Sequence, residues 1–593
     1  MTIKIAGIIV LTGMVQIATA TTRYVDASPH TPVSPYTSWA TAATNIQDAV
    51  TVAGFTDTIL VNDGIYRFGG LNNGGNNSRV HTLGKSLTFQ SVNGPEVTII
   101  RGSTNGTLAR CVYLTGSSIL SGFTLTNGGT PFGGAGVFCL PPNNCIVTNC
   151  IIVGNYDSNI NGGGGAKGGT LVDCLLSNNV SDSFGGAAYS NTLINCTLIS
   201  NRGGIGGGVN RASLTNCLLV GNVARSDGGG AANSTLSVCV LSNNVASGNG
   251  GAAFVCTVRD SLISSNRTAP STSFGTSYGG GAYSSVLSNC VLQNNFSISS
   301  GGGAYAGALT NCTIANNYAS TFSIGGGAAY ATLNQCLVIG NSAQIGTGVA
   351  NCSGNNCTIA QNLSSSSGSG SGAYSSTLNN CIIYYNQAVT NADILSCVLA
   401  NCCTPSLAYP NVINSFTNEP LFVDPNGDFH LQSDSPCINA GKNSFIACTN
   451  DLDGNPRIIG GTVDVGAYEY QYPSSVLSYA WLQQYSLPTD GSVDFTDDDA
   501  DGMTTWQEWI AGTDPTDATS LLQMYSATPT NNPPGVLVSW QSVGGKNYLL
   551  QRSSNLTVFQ NVQSNIVGQV GITAYRDTNA VGSGPFFYRT AVQ

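Results

Sequence analysis

Eleven times in succession an asparagine stands five residues after a small residue of the kind proteins bury, and this spacing leaves few folds open. The small residues, or anchors, are Cys150, Cys174, Cys196, Cys217, Cys239, Ser261, Cys290, Cys312, Cys336, Cys357 and Cys381. Their followers are Asn155, Asn179, Asn201, Asn222, Asn244, Asn266, Asn295, Asn317, Asn341, Asn362 and Asn386. Anchors recur every 21 to 24 residues, apart from one interval of 29 that takes in a Ser/Thr-rich insertion at 270–277. A repeat of this length denotes a solenoid, whose units bury their apolar faces only against their neighbours.

Each unit reads Leu-x-Asn-Cys-x-Leu-x-x-Asn, as at 309–317. Apolar side chains at the anchor and two positions later share one face of a short strand, because strand side chains alternate. No helical stripe is present, and the unit is too short and glycine-rich for a pair of helices. A coil therefore carries two or three short strands and stacks on the next at about 4.8 Å. The expected fold class is all-β: a right-handed parallel β-helix solenoid, followed by a calcium-loop segment and a small C-terminal β-sandwich.

The asparagines suit a turn repeated at one place in every coil, which needs left-handed backbone and partners for backbone groups. Stacked carboxamides can also bond one another, donor to acceptor. Asn195, Asn311 and Asn356 open Asn-Cys-Thr sequons, but their place inside a tight repeat favours this structural role over glycan attachment. Glycine clusters at 185–186, 250–251, 279–281, 301–303 and 325–327 let the coil bend where a Cβ would clash. The aromatic residues seven positions before an anchor (Tyr189, Phe254, Tyr283, Tyr305 and Tyr374) are expected to pack in the core rather than form an outer carbohydrate platform.

Lys4, an apolar run at 5–18 and Ala18-Thr19-Ala20 read as a signal peptide over residues 1–20. No later run is long enough to span a bilayer, so the mature chain is expected to lack a transmembrane segment. Only 8% of residues are charged and the net charge is −10, which argues against nucleic acid as a partner. Ten of the 20 cysteines are anchors. Thiols in parallel register do not converge, so this column is expected to stay reduced. Cys139 with Cys145, and Cys437 with Cys448, flank loops and are the expected disulfides.

The remaining segments divide by composition. Residues 21–57 form an N-terminal capping segment with a helix near 45–52 to cover the open end of the stack. The β-helix occupies 58–409, a closing segment 410–472, a calcium-loop segment 473–520 and the sandwich 521–593, with strands at 536–540, 548–552, 572–577 and 586–591. Residues 497–508 match the EF-hand loop, with Asp497, Asp499, Asp501, the Met503 carbonyl, Thr505 through water and Glu508 as calcium ligands. Gly502 supplies the sharp turn. Asp424, Asp451, Asp453, Asp464 and Glu469 are expected to serve turns and caps rather than a metal.

Several stretches carry a family resemblance. The runs at 24–26, 38–41 and 49–50 resemble the start of many exported bacterial β-helix proteins. The repeats, with Gly-Gly-Ala and Leu/Ile/Val-x-x-Asn, are similar to those of the polymorphic outer-membrane protein group, whose second hallmark is Phe-x-x-Asn. Glu419-Pro420-Leu421-Phe422-Val423-Asp424-Pro425, with 428–431, 435–441, 451–457 and 464–469, resembles the choice-of-anchor Q domain. That resemblance implies a segment that closes the β-helix and a secreted or cell-surface location. The calcium loop is similar to a dockerin half-repeat or a thrombospondin-type calcium spacer.

The pectin-lyase-like fold also hosts catalysis. Lyases need a Lys or Arg base, and hydrolases need two carboxylates about the bond. From 269 to 392 the chain has no Asp, Glu, Lys, Arg or His. Asp157, Asp182, Arg202, Arg225, Asp227 and Arg267 fall six to ten residues past their anchors. They are expected to form a loose column beyond the asparagine turn, either a glycan groove or a solvated row of partly paired charges. His30, His81 and His430 lack metal-ligand spacing. The expected function is that of a non-catalytic secreted or cell-surface protein for adhesion, glycan contact or surface architecture, with polysaccharide or cell-surface glycan as partner. The alternative is a carbohydrate-active enzyme, a polysaccharide lyase before a glycoside hydrolase.

Overall fold

The computed structural model describes residues 20–593, except 72–76, 105, 143, 161, 270–274, 321–322, 365–369, 389–392, 409–410 and 583. Residues 1–19 of the expected signal peptide and 270–274 of the insertion lie outside the described residues. The chain divides into two compact units, Met1–Gly307 with Asn317–Ser320, and Ala308–Asn316 with Thr321–Gln593.

The first unit opens with Thr22–Val25, paired in parallel with Thr58–Val61. Between them lies helix α1, Ile46–Val52, whose start is fixed by the Asn45 side chain accepting the Asp48 N–H. Its apolar face, Ile46, Ala49 and Val50, is buried as expected of a cap.

A single coil shows how the repeat works. Thr192–Ile194, Thr197–Ile199, Arg202–Gly203 and Val209–Asn210 are four strands, not the expected two or three. Each pairs in parallel with its counterpart in the next coil: Leu193 with Leu214, Leu198 with Leu219, Arg202 with Val223, Val209 with Ala231. Four parallel sheets result, here called first to fourth in the order met along a coil. Leu193, Leu198, Leu214 and Leu219 point inward and are buried.

The corners divide labour in a way the sequence pattern merges. The left-handed residue is the one before each anchor and follower, as at Asn195 (φ 54°) and Ser200 (φ 54°), not the follower itself. The follower instead satisfies buried backbone. Asn201 donates from Nδ2 to Leu176 O (2.9 Å) and Asn222 Oδ1 (3.0 Å), and its own N–H reaches the same oxygen (3.0 Å). This pattern joins Asn155 to Asn317 within the first unit. Anchors bind backbone in a parallel way, since Cys217 Sγ accepts the Cys196 N–H (3.4 Å) and donates to Thr215 O (3.3 Å). Ser261 fills the same rung, its Oγ accepting the Cys239 N–H at 2.9 Å.

The second unit repeats the four-strand coil, as in Thr332–Asn334, Leu337–Ile339, Ser342–Ala343 and Val349–Ala350. Its asparagine ladder runs Asn341, Asn362, Asn386. The segment expected to close the β-helix lies instead along the outer face of the second sheet. Leu337, Ile382, Phe422, Phe429, Ile438, Val465 and Tyr479 share one buried core there. Polar bonds pin it to the corner and strand residues: Gln335 to Asn450 O, Gln361 to Pro425 O, and the Ala467 N–H to Thr358 Oγ1 (3.0 Å). Its carboxylates cap backbone as expected, Asp464 accepting the N–H groups of Asn439 and Tyr470 (both 2.7 Å).

Helices α2, Tyr479–Gln484, and α3, Thr505–Ala511, follow. The C-terminal region holds two three-stranded antiparallel sheets around a core of Val538, Trp540, Tyr548 and Leu550. Two of its strands, Met524–Asn531 and Gln560–Val567, are mostly exposed and polar, which hid them from an apolar-alternation reading. No helix among the described residues is long and apolar enough to cross a membrane.

Cys139 and Cys145 are disulfide-bonded, whereas Cys437 and Cys448 are both free thiols. The expected second bridge fails because Cys437 is drawn into the core beneath Phe422 and Ile438, while Cys448 lines a surface pocket with Pro456 and Ile458. The anchor cysteines are free and buried.

Candidate functional site

The six charged residues singled out in the sequence do not form one column. Alternation along the two-residue strands of the third sheet splits them. Tyr156, Val180, Arg202, Val223, Val245 and Arg267 share the outward register, so two exposed arginines stand apart with valines between. The next position faces inward, and Asp157 there is fully buried. It accepts the Gly133 N–H (3.1 Å) and the Ser181 hydroxyl (3.0 Å), yet burial pushes its pKa up to about 6.

Asp182 and Arg225 sit in the bend beyond the strand and form an ion pair at 2.5 Å. The Tyr156 hydroxyl, 2.6 Å away, and then Arg225 hold the Asp182 carboxyl below its ordinary range. Asp227 is occupied by the Ser226 hydroxyl and the Asn249 N–H, both at 2.7 Å. Of these carboxylates one is buried and two are engaged by neighbouring hydroxyl, guanidinium or backbone N–H groups.

The aromatic series also departs from expectation. In strands such as Ala282–Tyr283 and Ala304–Tyr305 the alanine is inside and the ring outside, half-exposed. The outward register of the fourth sheet in the first unit reads His81, Tyr113, Phe138, Lys167, Tyr189, Asn210, Ala232, Phe254, Tyr283, Tyr305. His81 stacks on Tyr113 (4.4 Å, 9°), and Phe254, Tyr283 and Tyr305 stack in turn at 5.4 and 5.5 Å. In the second unit Tyr374 is likewise outward beside buried Ala373.

Lys167 takes a rung that elsewhere holds a ring. Its ammonium lies over Phe138 (5.8 Å) and Tyr189 (5.5 Å), a cation between two π faces. Burial lowers its pKa, and Asp157 works against that. Arg110, buried at the start of the strand Arg110–Leu114, lies over the Tyr113 (5.7 Å) and Phe138 (5.1 Å) rings. The exposed Arg211 donates from Nη1 to the Tyr189 hydroxyl at 3.3 Å. Lys167 meets the aromatic spacing, seven residues before Cys174, whereas His81, Tyr113, Phe138 and Arg211 fall outside it.

The 497–508 loop lies in the second unit. Candidate oxygens of Asp497, Asp499 and Asp501 lie within 4.8 Å of one another. Each also shapes the turn: Asp497 Oδ2 accepts the Gly502 N–H (3.0 Å) and Asp501 Oδ1 the Met503 N–H (2.6 Å). Glu508 follows on α3, which opens with a capping box from Thr504 and Gln507. It is fully buried, and its Oε2, like Asp499 Oδ2 and Asp501 Oδ2, has no hydrogen-bond partner. Burial, then Asp499 and Asp501, push its pKa up to about 7. The three clustered aspartates and the orphaned carboxylate oxygens of Asp499, Asp501 and Glu508 are a donor set that fits a hard cation. The Thr505 hydroxyl donates to Thr496 O (3.3 Å). Met503 accepts the Leu522 N–H on Sδ (3.3 Å).

No protein family and no curated protein matches the chain. Among solved structures it is similar to a pectate lyase, at 16% identity over 77% of this chain and 97% of that one, with a TM-score of 0.24. A rhamnogalacturonan lyase matches at 12% identity over 70% and 97%, with a TM-score of 0.22. The lacto-N-biosidase of Eubacterium ramulus matches at 12% over 60% and 65%, with a TM-score of 0.24. Likenesses this distant assign no chemistry to the chain.

Proposed function

We propose that the chain is an exported, non-catalytic β-solenoid that contacts extended glycan chains at a cell surface, with a calcium ion in its 497–508 loop. The observation that carries this reading is the outward register of the fourth sheet. It presents ring edges, phenol hydroxyls and cations on a rigid surface, while the candidate carboxylates are buried or engaged. A surface of aromatic edges and hydroxyls suits sugar contact, since each ring offers an apolar body and a polar tip.

Calcium, held by Asp497, Asp499, Asp501 and Glu508, would neutralise four converging carboxylates and tie α3 to the turn before it. The export and surface location rest on the leader at 1–20 and the anchor-like segment. The test is a glycan array probed with the full chain, run beside an assay for new ultraviolet absorbance on acidic polysaccharides with calcium. Binding without new absorbance is the expected result. Absorbance that grows with time would replace this reading by a lyase, and silence in both would leave no glycan role.

A further inference from the structure

The proposed glycan contact can be narrowed to a ligand class by the charge of one stretch of the fourth sheet. We infer that the face from His81 to Arg211 binds an extended anionic glycan, through Lys167 and Arg211 and the outward edges and hydroxyls of Tyr113 and Tyr189. This rests on the glycan-contact reading above. The chain as a whole carries a net charge of −10, yet no Asp or Glu occupies the outward register of this sheet from His81 to Tyr305. Lys167 and Arg211 both border Tyr189, one over its ring and the other at its hydroxyl. Arg110, buried in the strand Arg110–Leu114 of the same sheet, lies over Phe138. Asp157, a carboxylate that acts on Lys167, is fully buried and accepts the Ser181 hydroxyl and the Gly133 N–H.

The local field is therefore positive on a negative protein, and complementarity selects an anionic partner. Stacking covers the ring faces and leaves edges and hydroxyls outward, which suits a sugar chain lying across the rungs. Coils recur at about 4.8 Å, close to the length of one sugar residue in an extended polysaccharide, so successive anionic sugars can meet successive rungs. The shared chemistry is a carboxylate or sulfate on a pyranose.

The test uses the full chain against alginate, chondroitin sulfate, a neutral mixed-linkage β-glucan and a single-stranded RNA homopolymer, at low and high salt. We expect alginate or chondroitin sulfate to bind more tightly than the β-glucan and the RNA, and their affinity to fall with salt. The tighter of the two acidic glycans identifies carboxylate or sulfate. Lys167→Met and Arg211→Gln should each weaken acidic binding about tenfold without changing neutral binding, and Lys167→Arg should keep it. Circular dichroism and melting check that each variant folds, and Arg211→Gln, at an exposed position, stands as the second probe if Lys167→Met does not. Undiminished acidic binding in folded variants overturns the inference, as does RNA binding as tight as that of either glycan. Binding of the neutral glucan alone overturns it too but leaves the broader reading standing. No binding to any glycan ends both.

Discussion

At Asp157 the alternation of a strand outweighs the cost of burying a carboxylate. The residue one position earlier, Tyr156, takes the outward place, so the acid must face in. Its pKa, lifted from the ordinary 3.8 to about 6 by burial, makes stability depend on pH. Below pH 3.8 the carboxyl is protonated whether the chain is folded or not, and its contribution is fully present. As pH rises through 6 the unfolded chain has already released the proton, so the folded state loses up to about 3 kcal/mol. Denaturant unfolding between pH 4 and pH 7 should show a decline that Glu508, Asp393 and Asp464 share, and Asp157→Asn should make it shallower. A slope unchanged by the substitution would place the titrating group elsewhere. The sequence showed this acid but not its direction, because a two-residue strand is too short to display a period.

The columns belong to the scale of the element. Removing the Asn222 carboxamide strips a donor from Leu198 O and an acceptor from the Asn201 N–H, all buried. Asn222→Ala should therefore cost roughly 2–4 kcal/mol in equilibrium unfolding. Cys217→Ser should cost under about 1 kcal/mol, because Ser261 already accepts the same kind of backbone N–H elsewhere in the column. Equal costs for the two would mean that shape, not hydrogen bonding, sets the ladder. The asparagine and cysteine columns were legible since their corners have fixed length and every coil must meet the same register. The aromatic column was visible but misplaced. Its sign lies in the Ala-aromatic pair after the glycines, as at Ala253-Phe254 and Ala304-Tyr305: the first residue of the short strand faces inward and the next sends the ring out. Lys167 carries the same sign, seven residues before Cys174 and directly after Gly164-Gly165-Ala166, but a search for rings passes over a lysine.

For the molecule as a whole, stability should be partitioned. Under the proposed calcium reading, the ion would offset the repulsion among Glu508 and the three aspartates, whereas the solenoid is held by its ladders and apolar interior. Chelation, or Asp501→Ala, should raise protease cleavage within 473–520 and leave the main melting transition in place. Cleavage that ignores calcium would count against a bound ion. The architecture could be read from the repeat, while the path of 420–480 could not. Its burial along the second sheet depends on Leu337, Thr358 and Ile382, which look like ordinary outward strand residues until something covers them.

The free thiols carry a consequence for biogenesis. Eighteen cysteines are free thiols, and on the proposed export route the chain would meet oxidants before it is complete. Laying each turn upon the last shelters its sulfur, so the order of assembly is itself the protection. Renaturation in air from a fully unfolded state should then yield scrambled cross-links, and a reductant should restore the yield.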